Sequence, residues 1–211
     1  FDGLYSTSER DRFRTRLERS ADGSTEVYIT HRGMQEVYTS AQKDQTIWQP
    51  RPSDPELETE FLRRLMVKLG VSQEQADAVA KANTTTAAAT GSVRMESANG
   101  QPVLQIDEGF DRAWRRVGVA LDRTGFTVED RDRSRGIYFV RYVAPDAKVE
   151  PKGFFGKLFS RSPDAAAPVK YQIQVRSEGD KSTVTVLNTQ GQPETSANAQ
   201  RIVRVITDDM K

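Results

Sequence analysis

His31 is the only imidazole in 211 residues, and the chain has no cysteine. An imidazole is a versatile general base and metal ligand, but a metal site needs further donors at suitable spacing. None accompanies His31, which falls at the end of a strand-like run, so a surface or strand-end position is expected. Asp107, Glu108 and Asp111 stand close enough in sequence to suggest acid–base work. A plainer account makes Asp107 and Glu108 the caps of the helix that follows. There they accept hydrogen bonds from its unpaired N–H groups and complement its positive end. Asp111 then belongs to a solvated face. Glu129, Asp130 and Asp132 alternate with Arg131, Arg133 and Arg135 and read as a charged connection. No serine sits in a nucleophile elbow, and neither a phosphate loop nor a dinucleotide fingerprint is written. The expectation is a non-enzymatic protein with no metal and no cofactor.

Two binding chemistries remain. Arg10, Arg12, Arg14 and Arg16 alternate and line one face of a strand, with Arg19 and Arg32 nearby. Nucleic-acid readers combine such a face with exposed aromatic rings. Here Phe13 and Tyr28 are better used as core, Glu18, Glu26 and Glu36 dilute the patch, and the formal net charge is only +1. No nucleic-acid partner is expected; the face is solvated or meets an acidic partner. The second chemistry is apolar. Phe154, Phe155, Leu158 and Phe159 crowd together beside Lys152, Lys157 and Arg161, between Pro- and Ala-rich arms. Leaving such groups in water costs about 1.5–3 kcal/mol each relative to burial, so something should cover them. On a helical turn the apolar groups share a face bordered by cations, as in interfacial anchors. These residues are the candidate contact for a protein partner or membrane; the plain alternative is a lid on their own domain. Replacing Phe154 and Phe155 by serine should weaken association in a pull-down or vesicle assay while the fold survives. A large drop in thermal midpoint with association unchanged would establish the lid.

The elements that would position these groups follow from periodicity. Residues 103–143 organise the chain as strand, helix, strand, tight connection, strand. Phe110, Trp114, Val117 and Leu121 form one apolar helical stripe, Gly125 stops the helix, and 137–143 (IYFVRYV) is the most strand-like run. Earlier, 12–18 alternates with Phe13, Thr15 and Leu17 on one face, turns at 21–23, returns over 25–30, and closes at Gly33. A polar loop is expected from there through Trp48 and Pro50-Arg51-Pro52. Ser53 or Asp54 then caps a helix with Pro55 in its first turn and Leu57, Phe61, Leu62, Leu65, Met66 and Leu69 as its stripe. The stretch 71–91 has room for a short helix (SQEQADAVAKA) but ends in NTTTAAATG, which reads as a linker. Asn99-Gly100 marks a hairpin, strands follow at 170–176 and 182–187, and a last helix from about Ser196 carries Ala199, Ile202, Val203, Ile206 and Met210. Helices on mainly antiparallel sheets make an α+β protein. Hydrophobic content of 36% and charged content of 29% suit one large domain or two small ones, and no apolar run reaches membrane-helix length. The chain starts at Phe1, without an initiator Met or signal peptide, so a segment upstream is expected.

An internal repeat is also legible. Laid without a gap, 12–33 over 170–191 brings Phe13 onto Tyr171, Thr15 onto Ile173, Leu17 onto Val175, Asp22 onto Asp180, Ile29 onto Leu187 and Gly33 onto Gly191. Both hairpins lead to an amphipathic helix. The second is preceded by strand–helix–strand–strand; the first is not, so the first domain is expected to be incomplete.

Residues 103–106, Phe110, Trp114, Leu121, the run 125–128 (GFTV), the run 132–136 (DRSRG) before a strand ending Arg141-Tyr142, the strands 171–175 and 184–188, and the C-terminal helix carry a resemblance. They are similar to the BamC (NlpB-type) outer-membrane lipoprotein family, accessory subunits of the machine that folds and inserts β-barrel proteins. Residues 93–211 resemble it well and 11–70 more loosely. The resemblance implies two related helix-grip-like domains, with 1–70 the C-terminal half of the first, 71–91 a linker, and 92–211 the second with a flexible insertion at 145–168. It implies a non-enzymatic accessory or scaffold subunit partnered by other subunits of the β-barrel assembly machine. It also implies an outer-membrane lipoprotein, periplasm-facing or surface-exposed, held by an N-terminal lipid anchor that this sequence does not contain. The insertion at 145–168 is longer than the family pattern needs. A small-molecule or lipid-binding helix-grip module is the alternative, because a sheet gripping a helix can open a pocket.

Overall fold

The structure is a computed structural model that describes residues 7–20, 22–87, 91–143 and 168–211. Among the described residues it is α+β, with four helices and two antiparallel sheets, and contacts divide the chain into two units, Phe1–Thr90 and Gly91–Lys211.

In the first unit β1 (Glu9–Arg19) pairs with β2 (Thr25–Tyr38), which pairs with β3 (Thr46–Arg51). Two sequence expectations are corrected here. The second strand does not close at Gly33 but continues to Tyr38, and the supposed loop through Trp48 contains β3. Pro50 disguised it. Proline lacks the N–H of an inner strand, but β3 is an edge, paired only with β2. Gly33 is in mid-strand because a Cβ there would fall 2.5 Å from Cγ of Arg51, its cross-strand partner. Helix α1 (Pro55–Lys68) is capped by Asp54, whose carboxylate accepts from the N–H groups of Glu56 and Leu57 at 3.0 and 3.1 Å. Its apolar stripe is only half-buried. Phe61 stacks on Phe13 with centroids 3.9 Å apart, while Leu17, on the same face of β1 but nearer the hairpin tip, is 63% exposed. Helix α2 (Gln73–Ala87) extends into the Ala/Thr stretch read as linker; Ala76 is its buried anchor and Asp77 pairs with Arg63 of α1 at 3.0 Å.

The second unit contains β4 (Val93–Ala98), β5 (Gln101–Ile106), α3 (Phe110–Arg123), β6 (Thr127–Asp132), β7 (Ile137–Tyr142), β8 (Val169–Glu178), β9 (Lys181–Leu187) and α4 (Ala197–Asp209). The sheet order is β4-β5-β9-β8-β7-β6. Leu104, Ile106, Tyr138, Val140, Ile173, Val175, Val184 and Val186 alternate onto the core face, while Val103 and Ile137 are buried from the other side of the sheet. Against that face lie Trp114, Val117 and Leu121 of α3 and Ile202, Val203 and Ile206 of α4. Asn99 and Gly100, both at positive φ (53° and 77°), make the expected tight hairpin. Gly136 (φ +65°) has no substitute: a Cβ would sit 2.2 Å from the carbonyl oxygen of Val175, whose N–H donates back to Gly136 O at 2.7 Å. The capping expectation for α3 fails. Its N-cap is Gly109, without a side-chain bond. Asp107 is taken by Ser92 and Arg94, and Glu108 turns inward to accept from the Gly91 N–H at 2.9 Å.

The ungapped repeat holds for one strand of each hairpin only. Arg19 faces Thr25 in the first; the overlay places these on Ser177 and Thr183, but Ser177 faces Ser182. One extra residue in the first turn shifts the register, so Phe13 and Tyr171 both face their helices, while Ile29 and Leu187 fall on opposite faces.

Candidate interaction surfaces

The candidate contact residues Lys152, Phe154, Phe155, Lys157, Leu158 and Phe159 lie outside the described residues. The structure describes where their segment leaves and returns. Tyr142, the last residue of β7, is directly opposite Val169, the first of β8. Residues 143–168 therefore join two paired strands as a long hairpin connection, and Val143 and Val169 at its base are about half exposed (49% and 47%).

His31 corrects the expectation of a surface residue: its exposure is 0%. Its Nδ1 accepts from the Asp54 N–H at 3.0 Å, so Nε2 carries the proton and donates to Asp11 at 2.9 Å. Asp11 also receives Arg51, and these hydrogen bonds, His31's first, hold its carboxyl below the usual carboxylate range. The backbone N–H of His31 donates to Glu58, itself 8% exposed, at 2.8 Å. β1, β2, β3 and the start of α1 are thus joined by one polar clasp. Both ring nitrogens are committed within it, so the ring presents neither a lone pair nor a proton to a substrate. Sequence reasoning missed it because its members are 20 to 40 residues apart. The one available signal was a histidine and two acids at positions that alternation places near the helix start.

The carboxylates of the second unit are spread among separate structural tasks. Glu108, 5% exposed, pairs with Arg116 at 3.2 Å. Arg116 also donates to the carbonyls of Gly91 and Met210 at 3.1 and 3.0 Å, closing the start of the unit against the end of α4. Asp111 meets Arg133 at 2.8 Å, and Glu129 bridges Arg141 and Lys170 at 2.9 and 3.0 Å. The Ser134 hydroxyl and the Arg135 N–H lower the Asp132 carboxyl pKa and fix the turn before Gly136. The Trp114 ring lies within a stack of aromatic side chains, on Tyr138 at 3.9 Å and Phe110 at 5.8 Å, and Phe126 stacks on Tyr142 at 4.9 Å. A cleft of about 100 Å³ lies between α1 and α2, lined by Leu62, Met66, Val79 and Ala80 with Glu58 and Arg63. It is smaller than the several hundred Å³ of an ordinary ligand pocket. Among the described residues no helix is long and apolar enough to cross a membrane, and no acid–histidine group suits a metal.

A family model described as "Outer membrane protein assembly factor BamC-like C-terminal domain" matches residues 92–210. The chain belongs to the BamC family. The matched residues are the second unit, with its six-stranded sheet and both helices. Over 100% of its length the chain is 51% identical to the outer membrane protein assembly factor BamC of Thiobacillus denitrificans and 49% identical to that of Accumulibacter regalis. It is 31% identical over 99% of its length to an uncharacterized protein of Neisseria meningitidis. The chain spans 57%, 56% and 53% of these three relatives, little more than half of each.

Proposed function

We propose that this chain is part of a non-enzymatic accessory subunit in the assembly and insertion of outer-membrane β-barrel proteins. The observation that carries this reading is 51% identity, over every residue of the chain, to a relative named as an outer membrane protein assembly factor. The geometry supports it: acids and the one histidine are committed to structural pairs, and the second unit's core is filled by side chains. In this reading 1–70 is the C-terminal half of one helix-grip-like domain, 71–91 joins it to a second at 92–211, and 145–168 is an insertion bearing the Phe154–Phe155 contact. The two domains are related, with one residue added in the first hairpin turn. Each has a hairpin leading into a capped helix. Following the family, the protein is an outer-membrane lipoprotein, periplasm-facing or surface-exposed, anchored by an upstream lipid and partnered by other subunits of the assembly machine.

The test is an affinity pull-down of the full-length tagged protein from detergent-solubilised outer membrane. Co-elution of β-barrel assembly subunits, lost when Phe154 and Phe155 are both serine, is the expected result. Recovery from the soluble fraction with no assembly subunit attached would overturn the reading. A small molecule or lipid retained through purification, identified by mass spectrometry, would instead favour the binding-module alternative.

A further inference from the structure

We propose that the arginine-lined face of the β1–β2–β3 sheet, turned away from α1, docks an extended polypeptide segment that carries carboxylates at alternate residues. The register builds that face. Directly opposed residues of an antiparallel pair share a side of the sheet, so Arg10, Arg12, Arg14 and Arg16 of β1 lie with Met34, Arg32, Thr30 and Tyr28 of β2. Phe13 and His31, opposed to each other, lie on the other side with α1. Arg12 and Arg32 face one another, and Arg10, Arg12, Arg14 and Arg32 are all exposed.

This cluster is unfavourable as it stands, because like charges directly opposite each other on a sheet repel. Partial burial, and then the charges of Arg12 and Arg14, hold the Arg32 pKa below its ordinary value. The acids that dilute the patch in sequence are occupied at its ends. Glu18 pairs with Arg16, Glu26 accepts from the Tyr28 hydroxyl, and Glu36 accepts from the Thr46 hydroxyl and the Ser8 N–H. Among the described residues no carboxylate pairs with Arg12 or Arg32. A bound anion would relieve the repulsion. Same-face residues along a strand are spaced about 6.6–6.8 Å apart, so a strand with acids at every second position presents charge at the period of the arginines.

Two observations select a polypeptide over other polyanions. Trp48 lies under the Arg10 guanidinium and Tyr28 under that of Arg16, each at 4.1 Å, so these rings support cations rather than offering open faces to stacked bases. The exposed large apolar side chains of the sheet, Leu17 and Ile47, are at odd positions and so on the opposite face. The apolar and aromatic side chains of the arginine face, Met34, Tyr28, Tyr38 and Trp48, are half-buried, so the face offers little of the exposed apolar area that seats a protein in a membrane surface.

The inference goes beyond the assembly role, and its test does not depend on it. The 211-residue chain is titrated against a dye-labelled peptide of about nine residues, alternating Thr and Glu, long enough to span the run from Arg10 to Arg16 at about 3.3 Å per residue. Comparison probes are a peptide of the same composition with its acids in one block, oligo(dT), and phosphatidylglycerol–phosphatidylethanolamine vesicles. The alternating peptide should bind best and weaken several-fold between about 50 and about 200 mM salt, as for any charge-dominated contact. Arg12→Glu with Arg32→Glu should weaken it by at least about tenfold while the thermal midpoint holds or rises. Arg12→Lys with Arg32→Lys should retain most of the affinity, and Arg12→Gln with Arg32→Gln serves if charge reversal fails to fold. The proposal is overturned if the alternating peptide does not bind, if binding survives these changes, or if any comparison probe binds as tightly.

Discussion

Trp114→Ala should destabilise the second unit by about 3–5 kcal/mol, the usual cost of emptying a large buried aromatic site. Trp114 is 0% exposed at the centre of α3, and its ring is layered on Tyr138 and Phe110. Truncation removes apolar burial and two ring contacts, each worth about 0.5–1.5 kcal/mol beyond area. It also strips cover from Tyr138, whose hydroxyl donates to the Trp114 carbonyl at 2.9 Å, so the sheet and helix lose ring contact where they are already hydrogen-bonded. Collapse around the hole is limited, because Leu104, Ile106, Ile173 and Val175 are held by strand pairing on that face. Trp114→Phe is the discriminating control. Among the described residues the buried indole N–H has no hydrogen-bond partner, so phenylalanine keeps a stacked ring while removing an unsatisfied donor. Its cost should stay below about 2 kcal/mol. Trp48 and Trp114 are the only two tryptophans and occupy different units. Urea unfolding followed by far-ultraviolet circular dichroism then reads the loss, while Trp48 fluorescence reports the first unit alone. Equal midpoints for the alanine and phenylalanine variants would remove the stacked rings from any central role.

What the sequence made legible divides along the range of the interactions. α3 was readable because its stripe of Phe110, Trp114, Val117 and Leu121 and its stop at Gly125 are local signals, and Asn99-Gly100 and Gly136 fix turns within a few residues. β3 was hidden by Pro50 and by a sheet edge that tolerates it. The roles of Asp107 and Glu108 were misjudged because their partners, Ser92 and Gly91, lie 15 and 17 residues upstream and competed successfully with the helix N–H groups next door. The arginine face was legible as alternation on β1 alone. Its two deciding features, Arg32 opposite Arg12 and Trp48 beneath Arg10, needed the register of two further pairings. The aromatic insertion is the converse case, clear as composition and described here only at its base.

His31→Leu should cost the first unit about 2–4 kcal/mol, because leucine keeps the volume but orphans the Asp54 N–H and removes a donor from Asp11. The first unit has few fully buried residues, and α1 is held to the sheet by half-buried contacts such as Phe13 on Phe61. Under those conditions the clasp sets how α1 starts. Asp54 caps the helix with its carboxylate while its own N–H is fixed by His31, and Glu58, one turn on, takes the His31 N–H. Glu58→Gln keeps an acceptor and should be much milder than Glu58→Ala, which leaves a buried N–H unpaired. Acidity supplies an independent check with a defined sign. The Asp11 carboxyl is depressed in the folded unit, so its ionised form contributes stability that is complete above its unfolded value, about 3.9, and disappears as pH falls toward the folded value. Glu60 behaves alike: Arg63 and Arg64 lower its pKa to about 2, so its ties along α1 weaken over the interval between about 4.5 and 2. In a Trp114→Phe background, where Trp48 is the only tryptophan, thermal melts from pH 6 down to about 2 should therefore show the fluorescence transition being lost progressively below about pH 4. Asp11→Asn should start from a lower midpoint and lose less of it across the same range. A variant with an unchanged midpoint at pH 7 would mean that His31 and Asp11 are neighbours without consequence, and that α1 is positioned by its apolar contacts alone.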